Sequence, residues 1–351
     1  VFADPAPTWS QRVERAWLAR GPLACTLWPL SLLYGALTRA RRALFRRGWP
    51  GTHRLPVPVV VVGNLITGGA GKTPTVIALV AALRHRGYTP GIVSRGHGGS
   101  ASGAAEVTRQ TRAADCGDEP LLLHLRTGAP LVVGRDRVAA ATLLLRRHPA
   151  VDMIISDDGL QHLRLARDAQ VLVFDERGAG NGWLLPAGPL REPVPARVPA
   201  RSLVLYNAAR ASTPLPGAFA RRALTGAVPL DAWWRGEPAT AQALTSLRGR
   251  RLTAAAGVAR PQRFFAMLRE HGLTIAPLPL PDHHDYVTLP WPRDTAEVIV
   301  TEKDAIKLDP SRRGTTRVWV APLDFELDVS FVDALTALLP PPVPRHGNSP
   351  A

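Results

Sequence analysis

From Leu55 to about Asn207, short apolar runs alternate with amphipathic stretches. Val57–Gly63, Thr89–Ser94, Val151–Ser156, Gln170–Asp175 and Ser202–Asn207 are rich in β-branched and aliphatic side chains, the mark of strands buried on both faces. Helical patterns lie between them, which predicts an α/β fold with a mostly parallel sheet flanked by helices. Beyond Asn207 the pattern loosens through a proline- and alanine-rich stretch. It then resumes, with Leu252–Val258, Glu297–Thr301 and Arg317–Ala321 as strands and Pro261–His271 as a helix. The expected organisation is an N-terminal helical segment (1–50), a core (51–210), a connection (211–250), a smaller α/β domain (251–338) and a disordered tail (339–351).

The N-terminal segment has its own pattern. Pro22–Leu37 is a 16-residue apolar stretch interrupted by Pro29 and Gly35, and Arg39, Arg41, Arg42, Arg46 and Arg47 follow it. A spanning helix wants roughly 20 apolar residues, so this one is too short and broken to cross a bilayer. It fits a helix lying in an anionic membrane surface, and equally an ordinary packed helix with a solvated basic end.

Composition bears on that choice. The 351 residues carry a net charge of +15, which asks for an anionic partner. Without aromatics interleaved among the arginines and without a nucleic-acid motif, the charge speaks for lipid or a phosphorylated substrate and against nucleic acid. It also tilts the N-terminal helix toward the membrane. Cys25 and Cys116 stand far apart, so neither a disulfide framework nor a zinc site is supported, and a reducing compartment fits. Of 43 basic side chains only three are lysines, Lys72, Lys303 and Lys307, and each lies in a segment of chemical interest.

The chemistry starts at "VVVVGNLITGGAGKTPTV". A buried strand runs into Gly68, Gly69, Ala70, Gly71, Lys72, Thr73 and Pro74, a phosphate-binding loop in shortened form, with Ile66 where the usual first glycine would stand. Backbone N–H groups and a helix N-terminus cradle phosphates there, Lys72 reaches the β- and γ-phosphates, and Thr73 ligates Mg²⁺. "VDMIISDDGLQH" ends a strand on Asp157 and Asp158, placed to hold Mg²⁺ at the sheet's carboxyl edge, although paired aspartates also cap turns. Asp118 and Glu119 precede a helical stretch, where they serve either as caps or as the carboxylate that takes a proton from an acceptor hydroxyl. "GNGWLLPAGPLREP" reads as a functional loop carrying Arg191 and Glu192, and in "LPDHHDY" His283 suits a proton partner better than a metal ligand.

As a set, "GGAGKTP", "SRGHGG", "GDEPLLL", "GAPLVVGRDR", "SDDGLQH", "LPAGPLREP", "AGVARPQRFF", "PDHHDY" and "VTEKDAIKL" stand in the order found in tetraacyldisaccharide 4'-kinases. The chain resembles that family from roughly Trp9 to Leu338. The resemblance implies a P-loop α/β kinase with a smaller C-terminal domain and an N-terminal helix engaging the cytoplasmic face of the Gram-negative inner membrane. It implies transfer of the γ-phosphate of ATP, with Mg²⁺, to the 4'-hydroxyl of a tetraacylated glucosamine disaccharide 1-phosphate, by a monomer. By matching motif, Lys72 and Thr73 serve the nucleotide and metal, and Asp157 and Asp158 lie at the metal and the reacting phosphate. Asp118 is similar to the family's catalytic base with His283 as its partner, and Glu192 to an active-site acid near the metal. His162 and Arg191 are candidates for substrate contact, with a turn-stabilising role equally open for His162. His97 departs from the tyrosine expected in "SRGHGG" and receives no role. The rivals are a deviant-Walker partitioning ATPase, whose signature lysine is replaced here by Thr67, and a basic nucleic-acid-binding NTPase.

Overall fold

The computed structural model describes residues 13, 16–100, 102–282 and 284–342. His283 and the expected tail beyond residue 342 lie outside the described residues.

The larger sheet contains β1 (Val59–Gly63), β2 (Pro90–Ser94), β3 (Ala105–Val107), β4 (Leu131–Val133), β5 (Met153–Asp157), β6 (Ala169–Asp175), β7 (Ser202–Asn207) and β8 (Ala218–Phe219). Its order is β3-β4-β2-β5-β1-β6-β7-β8, parallel throughout except for β3 on β4. Alternate residues of β1 enter different cores, Val60 and Val62 on one face and Val59 and Val61 on the other. That two-sided burial is why the strand reads as an unbroken apolar run.

After β9 (Arg221–Leu224) comes a second sheet of β10 (Val228–Pro229), β11 (Arg251–Ala256), β12 (Thr274–Pro279), β13 (Glu297–Val300) and β14 (Arg317–Val320), ordered β10-β14-β13-β11-β12. β15 (Leu323–Glu326) then returns to pair antiparallel with β9, forming a ribbon between the two sheets. The helix Val329–Thr336 follows, and Arg86 at the end of the helix Lys72–His85 pairs with its Asp333. The 211–250 stretch, expected as a plain connection, holds β8 to β10 and the short helices Leu230–Arg235 and Ala241–Ser246. Its strands are two to four residues long and carry Arg and Pro, too little for an alternating pattern to show.

The N-terminal segment forms one continuous helix, Pro22–Arg46, about 37 Å long. It runs through Pro29 and Gly35, which the sequence presents as interruptions. Tertiary contacts offset the lost N–H: Ser31 Oγ donates to Leu184 O at 2.8 Å and Tyr34 OH to Arg191 O at 3.0 Å. Gly35 lets the helix approach closely, since a Cβ there would lie 2.8 Å from a terminal methyl of Leu184, which would have to shift. Away from this docked face, Leu30, Leu33, Leu37 and Leu44 are exposed. Among the described residues, no helix is long and apolar enough to cross a membrane.

Candidate active site

Register places the chemistry. Val62 of β1 lies opposite Asp157 of β5, so the loop after Gly63 and the Asp157–Asp158 pair leave the sheet side by side at its carboxyl edge. In the loop, Gly68 and Gly71 both have φ of 91°, and a Cβ on Gly71 would meet the Asn207 amide at 2.2 Å. Asn207 donates to Ala70 O at 3.0 Å, and Arg177 to Thr67 O and Gly69 O at 3.2 and 3.1 Å. These side chains occupy the loop's carbonyls. The N–H groups from Gly69 to Thr73 make no backbone hydrogen bond among the described residues, which leaves them for an anion at the helix N-terminus.

Ile66 explains the missing glycine. It is fully buried and bridges Leu190, while the flanking N–H of Thr67 donates to Pro189 O and that of Arg191 to Leu65 O. The front half of the loop is therefore pinned as extended chain against the 180–195 loop, where an apolar side chain is needed and a turn glycine is not.

Lys72 is 9% exposed and points its Nζ between Asn64 Oδ1 at 3.1 Å and Asp158 Oδ1 at 3.6 Å. Thr73 is buried beside it, and Pro74 sits in the first helical turn, where its missing N–H costs nothing. Asp158, with φ of 48°, is also clasped by Arg191 at 3.0 Å. Burial works to raise its carboxyl, but Lys72 and Arg191 prevail and hold it below the usual carboxylate range. Asp157 behaves oppositely. Burial first, then repulsion from Glu119 and Asp158, pushes its carboxyl up to about 6. One oxygen accepts from Ser94 Oγ at 2.9 Å, and the other is buried without a hydrogen-bond partner.

Asp118 and Glu119 open the helix Asp118–Thr127, and each meets a lysine from the second sheet's side. Lys307 Nζ lies 3.1 Å from Asp118 Oδ2, and Lys303 pairs with Glu119. All three lysines thus face acids at this cleft, in a chain that uses arginine elsewhere. A cavity of about 220 Å³ separates the loop from the second sheet, lined by Gly69, Lys72 and Thr73 on one side and Arg260, Arg263 and Lys303 on the other.

The structure brings together Lys72, Thr73, Asp157, Asp158 and Arg191. His162 stands behind them, its Nε2 3.4 Å from the Arg137 backbone N–H, and burial and the Arg137 charge lower its pKa. Glu192 is not drawn into this group. Its buried carboxylate is paired with Arg42 of the N-terminal helix. Sequence reasoning missed Asn64, Ser94, Asn207 and Arg177, which hold the site through contacts distant in sequence. It also missed Arg260 and Arg263 of "AGVARPQRFF", although that motif had been singled out.

With this geometry in place, comparison with known proteins is decisive: the family model for tetraacyldisaccharide-1-P 4'-kinase matches residues 23–340. The chain belongs to the tetraacyldisaccharide-1-P 4'-kinase family. It is 59% identical over 339 residues to the tetraacyldisaccharide 4'-kinase of Methylibium petroleiphilum, covering 95% of each chain. It is 57% identical over 343 residues to that of Leptothrix cholodnii, covering 97% of this chain and 99% of the relative. Among solved structures, LpxK from Aquifex aeolicus in complex with ATP aligns with a TM-score of 0.74 at 26% identity, over 90% of this chain and 99% of that one. The two-sheet architecture is thus that of the tetraacyldisaccharide-1-P 4'-kinase family, and the cleft described above lies within the matched residues.

Proposed function

We propose that the protein transfers the γ-phosphate of ATP to the 4'-hydroxyl of a tetraacylated glucosamine disaccharide 1-phosphate. The observation that carries this reading is the meeting of Lys72 with Asp158, beside Asp157, at the phosphate-binding loop, with Glu119 near enough to raise the Asp157 carboxyl, in a chain matched to the 4'-kinase family over residues 23–340. The loop N–H groups and Lys72 bind the β- and γ-phosphates and spread the charge that develops on the transferred group.

Mg²⁺ fits the donors present. The unpartnered buried oxygen of Asp157 and the Thr73 hydroxyl are hard oxygen donors at the loop. Among the described residues, no group of three or more His, Cys, Asp or Glu could hold a metal alone, which suits an ion that takes one or two carboxylates together with substrate phosphates. When bound, the ion neutralises phosphate charge. Asp158, held charged by Lys72 and Arg191, orients both cations. Glu192 stays outside this set while Arg42 holds it.

Asp118 is the proposed base for the sugar hydroxyl, with His283 as its partner, and Lys307 fixes the carboxylate's position. Lys307→Met is expected to lower kcat on the order of 10- to 100-fold, because a misplaced base loses its alignment. ATP affinity should stay near wild type, and an unchanged kcat would remove Lys307 from this role. Phosphorus NMR of the product tests the acceptor itself: the new phosphate should sit on the 4'-oxygen, and a phosphate on any other hydroxyl overturns the assignment.

The exposed stripe on Pro22–Arg46, with the arginines after it, supports a peripheral position on an anionic inner-membrane surface. Leu33 and Leu37 are 59% and 62% exposed, so charging them leaves the core intact. With each leucine worth about 1.5–3 kcal/mol on burial, Leu33→Glu with Leu37→Glu should cut vesicle binding at least about 100-fold. Unchanged sedimentation with phosphatidylglycerol vesicles would contradict the membrane reading.

A further inference from the structure

The second sheet has a carboxyl edge of its own. Its strands β12, β11, β13 and β14 run parallel. The chain leaves β11 for β12 on one side and returns to β13 on the other, so the strand order reverses between β11 and β13. In open α/β sheets ligands bind in the crevice outside the strand ends at such a point. Residues 257–260 after β11 and residues 301–303 after β13 form that crevice here. Fully buried Asp304 ties the two loops together, accepting from the Gly257 N–H at 2.9 Å and from the Thr301 hydroxyl at 2.6 Å. Both loops line the cavity of about 220 Å³, and Lys72 and Thr73 of the phosphate-binding loop face them across it.

The crevice brings one ammonium to the cavity, that of Lys303, and its partner Glu119 lines the cavity with it. Partial burial opposes the charge, but Glu119, then Asp282 and Asp157, outweigh it and hold the ammonium above its usual range. Near enough to feel Asp157, Lys303 stands at the end of the cavity where Lys72 meets Asp158. Arg260 and Arg263 share its wall but are engaged outside the cavity. Asp175 and Glu176 hold Arg260 at 3.3 and 2.9 Å, and Glu176 also holds Arg263. We propose that Lys303 is a second phosphate-binding cation of the reaction, donating from the second sheet to the γ-phosphoryl group while Lys72 holds it from the first. Charge on the transferring group is spread over its equatorial oxygens, which cations on two sides stabilise better than one. The bond from phosphorus to the ADP oxygen breaks, one to the sugar oxygen forms, the hydroxyl proton passes to Asp118, and Lys303 keeps its own proton throughout. A compact ammonium suits that place, in a chain with three lysines among 43 basic side chains.

The inference rests on the kinase reading above, and its first test needs no turnover. The β,γ-methylene analogue of ATP and, separately, ADP are titrated calorimetrically into the full chain with Mg²⁺. Lys303→Met should weaken the analogue at least about tenfold, as expected for the loss of one charge-assisted hydrogen bond, while ADP stays within about threefold of wild type. A lysine that only supports the fold would weaken both ligands alike or neither, and either result would overturn the proposal.

Turnover then separates Lys303 from its partner. Lys303→Met should lower kcat by about 10²-fold, the scale on which one donor to the reacting group acts. The same substitution made in Glu119→Gln should cost a similar factor, because the ammonium serves the phosphoryl group and not Glu119. That double variant also leaves neither ion of the pair without its partner. A loss that disappears in the Glu119→Gln background would reduce Lys303 to holding Glu119 and overturn the proposal, as would a Lys303→Met kcat within about threefold of wild type. If Lys303→Met selectively weakens the analogue but the wild-type chain labels no lipid, Lys303 keeps its place at the γ-phosphate and the kinase reading is lost. If the lipid is phosphorylated equally well without Lys303, the kinase reading stands and this inference is lost.

Discussion

Lys72→Ala should lower kcat/KM for phosphoryl transfer by about 10³-fold, the scale on which a single well-placed cation or donor stabilises transferring phosphate. The ammonium sits in a nearly dry position, 3.1 Å from Asn64 and 3.6 Å from Asp158, so its charge is little screened where the phosphates arrive. Asp158 keeps its contact with Arg191 in the variant, so the fold should survive and the loss should appear in catalysis. Lys72→Arg should recover little of it. A planar guanidinium does not fit a place shaped for a compact ammonium, and this chain places arginine at nearly every other basic position. Activity within tenfold of wild type in Lys72→Ala would detach the loop from the reaction.

The second large effect has opposite signs for stability and activity. An unfolded Asp titrates near 3.9, while Asp157 in the fold is pushed up to about 6, first by burial and then by Glu119 and Asp158. Between those values the native chain holds a proton that the unfolded chain has lost. Stability therefore falls as pH rises from about 4 to 6, and the cost is complete above that. Asp157→Asn removes the charge and keeps an oxygen for Ser94 to donate to. At pH 8 and without metal or nucleotide, the variant should be more stable than wild type by up to about 3 kcal/mol, with the difference vanishing near pH 4. The same substitution should lower transfer by at least about 10²-fold, since an amide cannot neutralise a cation at the phosphates. Denaturant unfolding at the two pH values reads the first effect, and a variant less stable than wild type at pH 8 would contradict it.

These two residues belong to the part of the molecule that local pattern reveals. β1, β5, β6 and β7 are apolar runs because both faces are covered, and a glycine loop between a strand and a helix is legible wherever it occurs. β12 escaped because it is an edge strand carrying Pro277 and Pro279, which an edge tolerates and a sequence pattern reads as a break. Pro29 misled in the same way, since the contacts of Ser31 and Gly35 that carry the helix through it come from residues about 150 positions away. The pairs Arg42–Glu192, Lys303–Glu119 and Lys307–Asp118 are likewise long-range and leave no local trace. The scarcity of lysine was the one sequence signal that pointed to two of them.

The central claim is that a single cleft passes phosphate from ATP to a lipid hydroxyl. The most direct measurement incubates the full chain with γ-labelled ATP, Mg²⁺ and tetraacyldisaccharide 1-phosphate in mixed micelles and separates lipid from aqueous label. Label should enter the lipid with wild-type protein and fall sharply with Asp118→Asn while nucleotide binding persists. Label recovered only as free phosphate, with or without the lipid present, would contradict the account.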